Sequence, residues 1–202
     1  MSQNFLDIQK GYLRKAWSRP LDELEVALPA RYGGGCFHFQ AFGGQCELHP
    51  DQIILDSQMM SGPEGVLIAM YASFVTNEMV QLQPLKAFKQ FPGGMGYQGA
   101  FTTNAEKALI PYVEAIQRHQ EEIIYRFSGH PNKDARRCDF SFTIYSLPRI
   151  PLYYIFNRAD EEFPASVTCL FASNADRFIP VAGLADTAEY TAKKVIQLVT
   201  EF

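Results

Sequence analysis

Between Leu147 and Phe171 the chain reads LPRIPLYYIFNRADEEFPASVTCLF, two apolar runs joined by an acidic turn that ends in proline. Leu152 to Phe156 carry no polar break. A run so short and aromatic reads as a strand covered on both faces. Ala165 to Phe171 alternates, with Val167, Cys169 and Phe171 opposed to Ser166, Thr168 and Leu170. Asp139 to Tyr145 does the same, with Phe140, Phe142 and Ile144 opposed to Asp139, Ser141, Thr143 and Tyr145. The connections are short, which suits antiparallel hairpins, because a parallel crossover needs about a dozen residues. The expectation is a C-terminal three-stranded antiparallel meander with Leu152–Phe156 in the middle. Arg149 then lies roughly 20–25 Å from the acidic turn, at the other end of that strand.

The second β region lies in the first half. Tyr32-Gly33-Gly34-Gly35 lacks the Lys-Ser/Thr of a phosphate loop and reads as the entry to a strand. In CFHFQAFGGQCELH (Cys36 to His49), Gly43-Gly44 suits a two-residue hairpin turn, since both positions tolerate positive φ. That register sets Phe42 against Gln45, Gln40 against Glu47 and His38 against His49. Phe37, Phe39, Ala41, Cys46 and Leu48 share a core face, while Cys36, His38, Gln40, Glu47, His49 and Asp51 share the other. Two imidazoles about 5 Å apart at Cβ, with a thiol and carboxylates beside them, are ligand types for zinc or iron(II). The metal set drawn from this pairing is Cys36, His38 and His49, with Glu47 as a supplement. Cys46 faces away from it. The competing reading is the polar face of a half-exposed hairpin. Ile53 to Leu55 suits a third strand.

Helical spacing runs over residues 4 to 17 (Phe5, Ile8, Tyr12, Ala16). Ser18 is placed to cap a second helix with Leu21, Leu24 and Leu28 inward. Ser61-x-x-Glu64 and Thr103-x-x-Glu106 have the form of capping boxes, and Pro111 kinks or restarts the helix after the second. Leu85 to Phe91 suits a short helix. Asp186 caps a final amphipathic helix that reaches Phe202. The fold class is α+β: antiparallel sheet comprising the meander and the N-terminal Gly-Gly hairpin, with helices packed against it. One domain is expected over 1–202, divided into a helical arm (1–30), hairpin plus helix (31–90), and helix, meander and C-terminal helix (91–202).

A net charge of −4 argues against nucleic acid as a main partner, because phosphate binding needs clustered Lys and Arg. Arg136-Arg137 is expected in a solvated loop. No apolar signal region and no membrane-length segment is found. With four scattered cysteines and no C-x-x-C, a cytoplasmic protein with reduced thiols is expected.

The run PRIPL (Pro148 to Leu152), DEEFP (Asp160 to Pro164) and LF (Leu170, Phe171) resembles a prokaryotic family catalogued as domain of unknown function thirty-seven eighty-six. The likeness extends to the Pro92-Gly93-Gly94 loop, Tyr97 and Phe101. It departs at Cys138-Asp139, where the family pattern carries Gly-Asp, and at Ala172, where it carries Asp. The resemblance implies a family without an assigned function, some of whose members are joined to an iron–sulfur module. It implies no catalytic residues.

Two function classes follow. One is a non-catalytic binding or accessory module for a small ligand, cofactor or electron-transfer protein partner. The glycine loop PGGMGYQGAF then supplies Tyr97 and Phe101 as flat walls, and Asp160, Glu161 and Glu162 supply carboxylates. The other is a divalent-metal enzyme that joins the His38/His49 face to that acidic turn. The hydroxyl face of the first meander strand, with Ser166 and Thr168, is a further lining, with water as its default neighbour. A homodimer that buries a meander edge is compatible with either.

Overall fold

The computed structural model describes residues 2–133 and 138–201; Arg136-Arg137 and Phe202 lie outside the described residues. Helix α1 (Ser2–Trp17) is followed at once by α2 (Leu21–Ala27). The buried stripe of α1 is Gln9, Leu13 and Ala16, and Ile8 points outward. Tyr12 lies at the flank, edge-on to Phe74. Ser18 closes α1 by donating to the Lys15 carbonyl, so it does not cap α2, whose N-cap is Pro20.

Five short strands then form the first sheet in chain order: β1 (Arg31–Gly33), β2 (Cys36–Ala41), β3 (Gly44–Leu48), β4 (Ile53–Leu55) and β5 (Gln58–Met59). Three of its four turns are two-residue turns with both residues at positive φ: Gly34-Gly35, Phe42-Gly43 and Asp56-Ser57. Such turns match the right-handed twist of the strands they join. The glycine run is thus the β1–β2 turn itself. The middle turn falls one residue before the expected Gly43-Gly44, and two contacts account for the difference. The Phe42 ring is buried and lies 5.9 Å from the ring of Tyr190. Gly44, as the first residue of β3, packs against the Asp56 carboxylate in a space that a Cβ would enter at 2.5 Å. That carboxylate accepts the Gln45 backbone N–H. The register becomes Gln40 against Gln45, Phe39 against Cys46, His38 against Glu47 and Phe37 against Leu48. A shift of two positions leaves both faces as expected but changes every partner.

Helix α3 (Pro63–Phe74) starts on Gly62, with no side-chain cap from Ser61. Glu64 faces Lys194 at 3.8 Å instead. Residues expected as a short helix, Leu85 to Phe91, form β6 (Lys86–Ala87) and a 3-10 turn (Phe88–Gln90). The next helical stretch is broken into α4 (Gln98–Phe101), a π-helical turn (Thr102–Glu106), a 3-10 segment holding Pro111, α5 (Val113–Arg118) and α6 (Gln120–Arg126). The second expected capping box is that π turn. Glu106 points into the fold and accepts the backbone N–H of Cys169 at 3.1 Å.

The meander forms as expected, with β8 (Phe140–Leu147), β9 (Ile150–Asn157) and β10 (Ser166–Phe171) and β9 central. Two-residue strands extend it on both sides, β6 on β10 and β7 (His130–Pro131) on β8, giving the order β6-β10-β9-β8-β7. Because β6 is so short, Glu106 takes the Cys169 N–H that a longer strand would have paired. Phe140 and Phe156 stack at 4.6 Å on the inner face. Helix α7 (Val181–Thr200) begins at Pro180, well before Asp186. It is pinned to β8 by the buried Thr191–Ser146 hydroxyl pair at 2.7 Å. One hydrophobic cluster runs through both sheets and the helices between them. Among the described residues no helix is long and apolar enough to cross a membrane.

The two halves meet at the Leu147–Ile150 end of the second sheet. Phe42 donates its backbone N–H to the Ser146 carbonyl at 2.6 Å. Arg149 donates to three main-chain carbonyls: Nε to Ala27 at 2.7 Å, Nη2 to Val26 at 2.9 Å and Nη1 to Glu78 at 2.9 Å. Two of these end α2, where unpaired carbonyls carry the negative end of the helix dipole. Arg149→Ala is expected to lower unfolding stability by about 2–4 kcal/mol in urea titration, since charged hydrogen bonds are lost and acceptors are stranded. Arg149→Lys should recover less than half of that, because an ammonium lacks the planar fork that reaches three acceptors.

Candidate metal centre

Antiparallel pairing of β2 with β3 puts four ligand-type side chains on one face of one ladder. His38 is opposite Glu47. Continuing the same register by one more pair sets Cys36 opposite His49, which leaves β3 for a tight loop closed by its own N–H to the Gln52 carbonyl at 2.9 Å. The expected pairing of His38 with His49 is replaced by this two-by-two square, for the turn reason given above. Cys46 is buried on the opposite, core face, as expected.

Three corners of the square are already drawn together. One ligand atom each from Cys36, Glu47 and His49 lies within 4.8 Å of the other two. His49 Nε2 is 3.1 Å from Glu47 Oε2, and His38 Nε2 is 3.3 Å from Cys36 Sγ. Tetrahedral zinc, with bonds of about 2.0–2.3 Å, separates its ligand atoms by roughly 3.3–3.8 Å. Small side-chain rotations therefore suffice to enclose an ion. Cys36 is buried, and burial together with the Glu47 carboxylate pushes its thiol up from the usual range. Its Sγ lies 3.5 Å from the Gly33 carbonyl, and His38 Nε2 lies 3.2 Å from the same oxygen.

The other expected site residues do not join this group. The acidic turn folds on itself: Asp160 Oδ1 accepts the N–H groups of Glu162 and Phe163 at 2.9 and 2.7 Å, and Glu161 and Glu162 are exposed. It follows β9 at the Asn157 end, about 25 Å along the strand from Ile150. The first sheet touches the second at the Ile150 end, through Phe42, and Cys36 and His38 lie at the far end of β2 from Phe42. Hairpin and acidic turn are thus not brought together. Phe101 is no wall of a ligand loop. It stacks on Phe88 at 4.6 Å in the core, near Phe171, and is 2% exposed. Tyr97 is exposed. Of that loop's glycines, Gly94 serves packing, since a Cβ there would run into the Phe88 carbonyl oxygen, and Gly93 takes a positive φ of 82°.

On the hydroxyl face Ser141 and Thr143 of β8 are buried, while Asp139, Ser166 and Thr168 are exposed as expected. Thr143 donates at 2.9 Å to Oδ1 of Asn132, directly after β7. A cleft of about 310 Å³, lined by Leu82, Leu85, His130, Pro151 and Tyr153 among others, opens beside them. Thr143 of the expected hydroxyl face reaches this cleft, but the walls from Leu82, Leu85 and His130 were not foreseen, because those segments carry no periodic pattern. The Gly33 carbonyl was missed for a similar reason: a backbone acceptor leaves no signature in residue type.

A family model described as Domain of unknown function (DUF3786) matches residues 21–194. That span takes in both sheets and leaves α1 outside. No curated protein and no solved structure matches the chain.

Near the acidic end, Asp139 closes the β8–β9 pair by accepting the Arg158 backbone N–H at 2.7 Å and its guanidinium at 3.1 Å. These bonds hold the Asp139 carboxyl below its usual range. A depressed carboxyl contributes stability above its unfolded value, about pH 3.9, and loses it as the pH falls through the folded value. Thermal melts across the acid range should therefore show a shallower loss of stability in Asp139→Asn than in the wild type.

Proposed function

The chain belongs to this family of domains of unknown function, and from that premise we propose that it is a non-catalytic binding module whose N-terminal hairpin takes one divalent transition metal, zinc or iron(II). The observation that carries this reading is the convergence of Cys36, Glu47 and His49 within 4.8 Å on one face of a β ladder. A thiol, an imidazole and a carboxylate form a mixed donor set that suits zinc or iron(II) better than magnesium or calcium, which prefer oxygen alone. Strand pairing holds Cys36 and Glu47 at a fixed separation and the His49 N–H to the Gln52 carbonyl ties down the third, so little ordering of the chain accompanies binding. The enzyme reading needs the acidic turn as a second component, and the turn's place at the Asn157 end of β9 favours the binding module over it.

Metal analysis and calorimetric titration of the purified chain test the proposal. One equivalent of zinc or iron(II) is expected, lost in Cys36→Ser and in His49→Ala. Glu161→Gln combined with Glu162→Gln should leave it unchanged. Absence of stoichiometric uptake by the wild type would end the reading.

A further inference from the structure

We infer that His38 is the fourth ligand of the hairpin site and closes it, so that the site holds a metal instead of presenting it to a substrate. The inference rests on the metal-binding reading above. Its own ground is the square formed by β2 and β3. Cys36 and His38 occupy alternate positions on β2, Glu47 lies opposite His38 on β3, and His49, one residue past the end of β3, continues the same parity beside Cys36. His38 Nε2 is 3.3 Å from Cys36 Sγ, beside the group of three whose ligand atoms lie within 4.8 Å of one another, so only a turn of the imidazole toward Glu47 and His49 separates it from a fourth corner.

Without metal, the Gly33 carbonyl occupies both groups on β2. The thiol lies 3.5 Å and His38 Nε2 3.2 Å from that oxygen. Both therefore carry their protons toward one acceptor at the mouth of the Gly34-Gly35 turn. When a divalent ion enters, the thiol proton passes to solvent and sulfur binds the ion as thiolate. The imidazole carries its single proton on Nδ1, and Nε2 turns from the carbonyl to the ion. Gly33 is half-buried, so water can take the place of the two lost donors. Four protein ligands then fill a tetrahedral shell, the pattern of closed sites, whereas catalytic zinc keeps three and an open position.

Cobalt(II) added to the full chain tests this. The wild type should show tetrahedral visible bands and a sulfur-to-cobalt charge-transfer band, both unmoved by added imidazole. In His38→Gln the side-chain amide can still donate to the Gly33 carbonyl but supplies no imidazole. That variant should keep the charge-transfer band, lose at least roughly tenfold in cobalt affinity, and take up imidazole with a shift of the visible bands. His38→Ala, checked by circular dichroism, should behave alike. If His38→Gln binds cobalt with the wild-type spectrum and affinity, or if the wild type takes up imidazole as readily, His38 is no ligand and a three-ligand site stands. If the wild type shows no charge-transfer band, the thiolate does not bind metal and the underlying reading falls with this one.

Discussion

The Arg149 guanidinium is where the architecture is tied together. It sits between the two strands of the tightest hairpin in the second sheet and reaches back to the carbonyls of Val26, Ala27 and Glu78. A helix end, an irregular segment and a sheet corner thereby share one cation. The three acceptors lie on segments with no strand or long helix to occupy them. Without a planar donor, their desolvation on folding would go uncompensated. Pro148 and Pro151 flank the residue, so the corner that carries Arg149 is stiff before the contact forms. In the PRIPL run the arginine therefore ties a joint of the fold.

The first sheet turns on a smaller contest. Two glycines side by side offer the chain two neighbouring turn positions, and intrinsic preference alone favours the pair Gly43-Gly44. Packing decides otherwise. Phe42 gains a buried place against Tyr190, and Gly44 leaves room for the Asp56 carboxylate. A non-glycine residue in a left-handed conformation carries some strain, and the buried aromatic ring offsets it. The outcome sets the chemistry of the hairpin, because it determines which ligand faces which across the ladder.

How much was legible follows the range of the forces involved. The meander was readable because alternation and unbroken apolar runs are local, and Phe140, Phe142, Val167 and Cys169 sort themselves by parity alone. The face that carries the thiol, imidazole and carboxylate groups was readable for the same reason, while the cross-strand partners were not. They depend on Tyr190 and Asp56, distant in sequence from the turn they control. The capping boxes at Ser61 and Thr103 misled because Glu64 and Glu106 answer to tertiary partners, Lys194 and the Cys169 N–H. Phe101 misled because an aromatic residue in a glycine loop serves a core as readily as a ligand. β6 and β7, of two residues each, lie below the length at which any periodicity exists.

Those two stubs bear on how the chain behaves among its own copies. A long outer strand offers a row of unpaired N–H and C=O groups on which a foreign strand can grow a continuous ladder. Here the broad central strands are flanked by pieces too brief to template more than a rung or two, and each flank turns directly into helix or loop. The sheet with the most apolar and aromatic content, and so the greatest tendency toward runaway stacking, ends on both sides in a dead end.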